Sequence, residues 1–248
     1  MKYAFYGDYG EIQLPANYCE ENPDFVLSFG GDGTMLQAIH KYVKQLSTIK
    51  FIGINTGKLG FYTDFITEDI NMIFALTKSG KYDLFKIKIM EYELILKQDT
   101  IKGYAINDMA LINPVSTQVM DVYINDRYFE TIRGTGLLVS PPGGSTAYNR
   151  SLGGSIIDPW ADVLQMTEVA PINNRIFHSL GSPLVLSGEN HIELRPASTQ
   201  NLYLTVDGRE ISYKNLTGIK ITLSKASVSF VIKQDTSFFD RLQKAFLE

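Results

Sequence analysis

The sequence predicts an α/β N-terminal domain with an open parallel sheet and helices, followed by a strand-rich β domain and a C-terminal helix that packs back on the first domain. Three observations predict it. Up to about residue 92, short apolar runs lead into glycine turns and then into apolar residues at helical spacing, the pattern of parallel strand–helix units. After "EYELILKQD" the pattern changes to period-two alternation broken by tight-turn residues. In "SFFDRLQKAFLE", Phe239, Leu242 and Phe246 fall on one face of an amphipathic helix. The expected divisions are 1–95, 96–235 and 236–248.

Taken in order, "KYAFYG" and "DFVLSFGG" read as the first two strands, with Phe25, Val26, Leu27, Ser28 and Phe29 forming a short buried run. Met35, Leu36, Ile39, Tyr42, Val43 and Leu46 then predict a helix over about 34–47. "KFIGINTG" is a third strand, and Ile70, Ile73, Phe74 and Leu76 mark a second helix. In the second domain "MDVYIND", "LVLS", "NHIEL", "LYLTVD", "IKITLS" and "SVSFVIK" read as strands, with turns at "IND", "SGEN" and "VDGRE".

Composition narrows the function. A net charge of -4 without a Lys/Arg cluster argues against a nucleic-acid binder. Cys19 is the single cysteine, which fits a reducing cytoplasm, and neither it nor the scattered His40, His178 and His191 has a partner at metal-ligand spacing. No signal peptide or membrane-length apolar run is present, so the chain is expected to be soluble and cytoplasmic, with no membrane partner.

The stretch "FVLSFGGDGTMLQAI" carries the chemistry. Gly30, Gly31 and Gly33 join a strand to a helix, where unpaired N–H groups favour an anion, yet Asp32 sits among them. Two like charges about 4 Å apart repel by roughly 4 kcal/mol at an effective dielectric near 20, so that carboxylate is either compensated or used. The plainer reading is a tight connection in which Asp32 caps the helix. Three further stretches attract notice: "GINTGKLGFYTDF", "YAINDMALIN" and "RGTGLLVSPPGGSTAYNRSLGGSI". None is a standard nucleotide signature. From Gly53 to Gly57 there are three intervening residues where a P-loop needs four, Leu59 stands where its Ser/Thr belongs, and Leu36 occupies the third glycine of the dinucleotide fingerprint. Ser145 in "GGSTA" is not in a nucleophile elbow.

"GGDGT", "NTGKLGFYTDF", "NDMAL", "GGSTAYNRSLGG" and "TVDGRE", in that order over nearly the whole chain, resemble the NAD kinase family of the bacterial type. The resemblance implies phosphorylation of the adenosine-ribose 2′-hydroxyl of NAD by ATP with Mg2+, or by polyphosphate. It implies Asp32 as general base, with Gly31, Gly33 and Thr34 at the reacting ribose and pyrophosphate, and Phe61 beside the adenine. Asn107 and Asp108 would meet adenine and ribose, and Thr146, Ala147, Tyr148, Asn149, Arg150 and Ser151 would line the adenosine side. Arg133, Thr135 and Ala170 match positions near the nicotinamide, where a neighbouring subunit often contributes, so a homodimer or homotetramer is implied. Lipid kinases share the GGDG loop, but the absence of a basic membrane-facing cluster argues against that branch.

The chain departs from the family pattern in places. Asp108 replaces the usual Glu and is shorter by one C–C bond, about 1.5 Å. Thr135 replaces a usual carboxylate, a loss worth on the order of 1.5–3 kcal/mol if a charged hydrogen bond is missing. Asp158 stands where a histidine is common, and "PPGG" replaces Thr-Pro-Ser/Thr-Gly. The expectation is an active kinase; the alternative is a catalytically weakened NAD- or NADP-binding or sensing relative.

Overall fold

The computed structural model describes residues 1–13, 15–57, 60–234 and 236–248. Lys58 and Leu59 of the second glycine loop, and Asp235 at the expected edge of the β domain, lie outside the described residues. The strands are β1 (Tyr3–Gly7), β2 (Phe25–Phe29), β3 (Lys50–Asn55), β4 (Phe65–Ile66), β5 (Asp83–Leu96), β6 (Thr100–Ala105), β7 (Met109–Ile112), β8 (Gln118–Ile124), β9 (Arg127–Gly134), β10 (Gly136–Ser140), β11 (Val163–Val169), β12 (Leu184–Ser187), β13 (His191–Pro196), β14 (Tyr203–Val206), β15 (Arg209–Glu210) and β16 (Leu216–Ile232). The α-helices are α1 (Asp32–Lys41), α2 (Ile70–Ser79), α3 (Tyr148–Ser151) and α4 (Phe238–Phe246).

Two compact units result: Met1–Ile87 with Ala226–Glu248, and Lys88–Lys225. The long strands β5 and β16 each run from one unit into the other. In the first unit β1, β2 and β3 pair in parallel, β3 also pairs in parallel with β4, and Phe230 of the returning β16 lies opposite Phe51. Phe5, Leu27, Ile52, Ile54, Phe65 and Ile73 close its core. This is the parallel α/β arrangement the sequence predicts.

Helix α1 ends at Lys41, short of residue 47, and gives way to a 3-10 turn at Val43–Gln45. The tighter turn accompanies two long-range bonds, in which the Tyr42 hydroxyl and the Gln45 amide donate to the carbonyls of Glu20 and Glu21. The buried Tyr42 and Leu46 keep the apolar spacing going past the helix end.

In the second unit β12, β11, β10, β7, β14 and β15 form one antiparallel sheet, and β16, β13, β8 and β9 pair antiparallel in another. The inward residues of the two sheets, among them Met109, Leu111, Leu137, Val139, Ile192 and Ile219, make one core, as sandwiched sheets require. Asn125 and Asp126, and likewise Asp207 and Gly208, have positive φ, which is the two-residue hairpin geometry expected at "IND" and "VDGRE". The two predicted strands "IKITLS" and "SVSFVIK" are one continuous strand, β16.

Candidate functional site

In the first unit the site grows from the end of β2. Gly30 has φ 151°, and a Cβ there would lie 2.3 Å from the Thr34 hydroxyl, so the turn requires glycine and Thr34 packs into it. Gly31 and Gly33 are different: added Cβ atoms at either would meet nothing within 4 Å, and neither has positive φ. Their lack of a side chain leaves space, among the described residues, at the start of α1, and a helix start favours an anion.

Asp32, the first residue of α1, is held by a different loop. Its Oδ2 accepts from the Phe61 N–H at 2.7 Å and its Oδ1 from the Tyr62 N–H at 2.8 Å. A Cβ on Gly60 would lie 2.4 Å from Asp32 Oδ1, so the loop backbone comes close to the carboxylate. An ionised carboxylate offers about four acceptor positions, so after two backbone bonds roughly two remain. Phe61 itself lies edge-on to Tyr62 and to Phe238 of α4, with ring centroids 5.9 Å apart in both cases.

Helix α4 docks on this loop through a residue that the amphipathic pattern did not single out. Arg241, 8% exposed, donates from Nη1 to the Phe61 carbonyl at 2.6 Å and from Nη2 to Asp64 Oδ2 at 2.5 Å. Phe239, expected on the docking face, is 69% exposed, whereas Leu242 and Phe246 are partly buried. A paired guanidinium fixes orientation through two directed bonds, which a phenyl ring does not.

In the second unit Asn107 and Asp108 occupy the bend between β6 and β7. Asp207, from the β14–β15 turn, organises that bend: its carboxylate accepts from the N–H groups of Ile106 at 2.9 Å, Asn107 at 2.6 Å and Asp108 at 3.1 Å. The loop after β10 packs against the same bend, since a Cβ on Gly144 would lie 1.6 Å from the Asn107 carbonyl oxygen. The Asp108 carboxyl accepts the Tyr148 N–H. Burial, then the charge of Asp207, push Asp108 up from its ordinary 3.8 to about 7, against the opposing pull of that N–H.

Around this bend Thr146 and Ala147 are half-buried, Arg150 and Ser151 are exposed, and the Tyr148 side is 40% exposed, enough to offer a ring face. Asn149 is fully buried and its Oδ1 accepts from the Thr167 hydroxyl at 2.7 Å. It faces the interior of the unit.

The three remaining predicted residues also meet in the second unit. Gly134 is packed against the carbonyl of Ala170, the Ile172 N–H donates to the Arg133 carbonyl at 2.7 Å, and the Thr135 N–H donates to Val169 at 2.9 Å. The Arg133 guanidinium lies 4.5 Å from the centre of the Phe177 ring. Thr135 and Ala170, with Asn113, Ser116 and Thr117, line a cavity of about 360 Å³.

Ala170 has φ 46°. A side chain in that region costs about 1–2 kcal/mol, and a β-branched one more. Ala170→Val is therefore expected to lower stability by about 1–2 kcal/mol, and Ala170→Gly to leave it within about 1 kcal/mol of wild type, because relief of strain offsets the entropy of glycine. Urea unfolding of both variants checks this; a Val variant as stable as wild type would mean that the backbone there relaxes freely.

Asp207 and Arg241 are the two organising residues that sequence reasoning missed. Asp207 stood in a recognised turn, "VDGRE", but nothing in the spacing says that its carboxylate reaches residues 106–108.

Open glycines at a helix start suit phosphate, and a fixed carboxylate suits a hydroxyl; the pair fits the class of phosphotransferases that act on an alcohol. The comparisons make this specific. Residues 11–82 match the ATP-NAD kinase N-terminal domain and residues 106–232 the ATP-NAD kinase C-terminal domain. An NAD kinase of Streptococcus agalactiae serotype V is 37% identical over 92% of this chain and 83% of its own length, and one of Lactobacillus gasseri is 41% identical over 92% and 85%. Among solved structures, yeast NADH kinase complexed with NADH superposes with a TM-score of 0.80 at 22% identity, over 90% of this chain and 66% of that one. An Archaeoglobus fulgidus NAD kinase in complex with ATP gives 0.70 at 24% identity, over 91% and 82%. These two likenesses establish the fold. The chain belongs to the NAD kinase family, enzymes that phosphorylate NAD.

Proposed function

We propose that this chain transfers the γ-phosphoryl group of ATP to the 2′-hydroxyl of the adenosine ribose of NAD, giving NADP, with Asp32 as general base. The observation that carries the reading is the fixed Asp32 carboxylate beside the open glycines. Two backbone N–H groups hold the carboxylate, and its remaining lone pairs accept the hydroxyl proton as the phosphoryl group arrives. Because that transition state is loose, orientation of the alcohol matters more than its full deprotonation. Gly31 and Gly33 leave room for phosphate against the N–H groups of α1, and Thr34 supports the turn from inside.

Magnesium, arriving with the donor, would neutralise phosphate charge. It asks a protein for one or two carboxylates and keeps much of its shell as phosphate oxygen and water.

In the first unit Phe61 is the residue assigned to adenine; in the second unit, taken by itself, Asn107 and Tyr148 offer an amide and an aromatic face to the adenosine, with Thr146, Ala147, Arg150 and Ser151 beside them. Asn149 acts from beneath, by fixing the loop on Thr167. Asp108, 5% exposed, orients the Tyr148 N–H and stands at the edge of the ribose contact. Thr135, Ala170 and Arg133 border the nicotinamide half. Two or four copies of the chain would complete that half, and the single cysteine suits a cytoplasmic setting.

The test is NADP formation by the purified protein from NAD, ATP and magnesium, read with an NADP-specific dehydrogenase, with polyphosphate as donor in parallel. NADP formation at a steady rate is expected. NAD binding without NADP from either donor would overturn the reading.

Gly33→Ala separates ligand space from fold. The added methyl meets no atom of the described residues within 4 Å and removes a helix glycine, so stability is expected to stay level or rise by about 0.5–1 kcal/mol. Turnover with ATP is nonetheless expected to fall by about tenfold or more, since the methyl occupies the space assigned to phosphate. A thermal melt and a KM for ATP decide it; unchanged kinetics would show that the phosphates bind elsewhere.

A further inference from the structure

The Phe61 carbonyl and the Tyr62 N–H belong to one peptide group. The N–H end donates to Asp32 Oδ1 at 2.8 Å, and the carbonyl end accepts from Arg241 Nη1 at 2.6 Å. One planar unit thus connects a buried cation on the C-terminal helix to the carboxylate at the start of α1. Its position is fixed from two more sides: the Phe61 N–H holds the other Asp32 oxygen, and Arg241 Nη2 is anchored on Asp64, whose side chain is 12% exposed. The Arg241 guanidinium carbon also lies 5.2 Å from the Phe85 ring centre, which walls it off from water.

We propose that Arg241 is a positioning residue for phosphoryl transfer, holding the peptide between Phe61 and Tyr62 so that its N–H fixes Asp32 in the orientation the reaction needs. The inference rests on the role of Asp32 proposed above. Two physical effects support it. A cation on the carbonyl polarises the peptide and strengthens the opposite N–H as a donor, because hydrogen bonds in series reinforce one another. A guanidinium anchored by its second nitrogen on Asp64 also resists rotation of the peptide plane, and a rotated plane would turn the N–H away from Asp32. Without Arg241, Asp32 keeps its place in the chain but loses one of the two bonds that aim it.

The consequence falls mainly on the chemical step. Arg241 itself is not assigned to a ligand, but the Phe61 carbonyl it holds belongs to the residue assigned to adenine, so its loss is expected to lower kcat by clearly more than it raises KM for NAD or ATP. It acts through Asp32, so its effect is expected to disappear once Asp32 is replaced.

The experiment measures kcat and both KM values for wild type, Arg241→Met, Arg241→Lys, Asp32→Asn and the double variant Asp32→Asn with Arg241→Met, using the full-length chain. Arg241→Met is expected to lose about tenfold in kcat with KM within twofold, and Arg241→Lys to recover part of the loss, because one ammonium reaches one acceptor but not both in the original geometry. The double variant is expected to match Asp32→Asn within twofold.

A wild-type kcat in Arg241→Met, or losses that multiply in the double variant, would overturn the proposal while leaving the role of Asp32 standing. Wild-type turnover by Asp32→Asn would overturn the reading beneath it. If Arg241→Met fails to fold, Arg241→Lys decides alone: a loss mainly in kcat that vanishes in the Asp32→Asn background supports the proposal, and any other pattern overturns it.

Discussion

Asp32→Asn is expected to lower kcat for NADP formation at least about a hundredfold, the range in which removal of a general base falls, and to leave NAD affinity within about threefold. The substitution keeps the size of the side chain but not its hydrogen-bond pattern. Both Asp32 oxygens accept backbone N–H groups, whereas the asparagine amide accepts at one end and donates at the other. Its NH2 must confront either the Phe61 or the Tyr62 N–H, leaving a donor without an acceptor, at about 1–3 kcal/mol. A lower melting temperature is therefore expected alongside the kinetic loss.

These two effects are separable. The stability loss comes from the N–H pair, and the kinetic loss from the missing proton acceptor. Calorimetric NAD binding, a melt and single-turnover NADP formation measure them independently. A variant that melts early but turns over normally would make Asp32 a structural residue that holds the Phe61–Tyr62 loop; it does not cap α1, whose N-cap is Gly31 with no side-chain bond.

Much of this arrangement was legible in the sequence, for definite reasons. Apolar spacing gave α2 and most of α1, and alternation gave β8, β13 and β14, because the core faces of helices and strands repeat at fixed periods. The glycine turn was legible because a backbone at positive φ against the Thr34 side chain tolerates no other residue. The unity of β16 was not: Lys225 is exposed in mid-strand and reads as a turn between two runs. The return of α4 to the first unit was expected, but not the residue that anchors it. A helical pattern reports apolar residues, and the residue that anchors this helix is a buried arginine whose acceptors lie far back in the chain. Within the site, the loops that carry Asn107, Asp108 and Tyr148 were visible as motifs, but their organiser, Asp207, acts across about a hundred residues, a separation over which periodicity carries no information.

The buried Asp108 makes stability depend on pH in the direction opposite to most paired carboxylates. Its pKa is raised from 3.8 to about 7 in the folded chain, first by burial and then by Asp207. Between about pH 4 and 7 the folded chain therefore holds a proton that the unfolded chain has released. With more protons bound in the native state, stability falls as pH rises, by up to about 1.4 kcal/mol per unit and up to about 4 kcal/mol over the interval.

Glu130, raised to about 7 by burial and by Glu168, contributes in the same direction, so the slope of wild type alone does not isolate Asp108. Asp108→Asn does. The amide oxygen can still accept the Tyr148 N–H, and no charge develops beside Asp207, so the variant is expected to gain on wild type by a few kcal/mol from pH 5 to pH 8. Urea unfolding at both values, followed by the fluorescence of Trp160, the single tryptophan, reads the unit that carries Asp108. A difference between variant and wild type that stays constant with pH would mean that Asp108 is already charged when folded at pH 5. The Tyr148 N–H would then outweigh both burial and the neighbouring carboxylate, and the Asn107–Asp108 bend would present a second negative charge to the ribose throughout the physiological range.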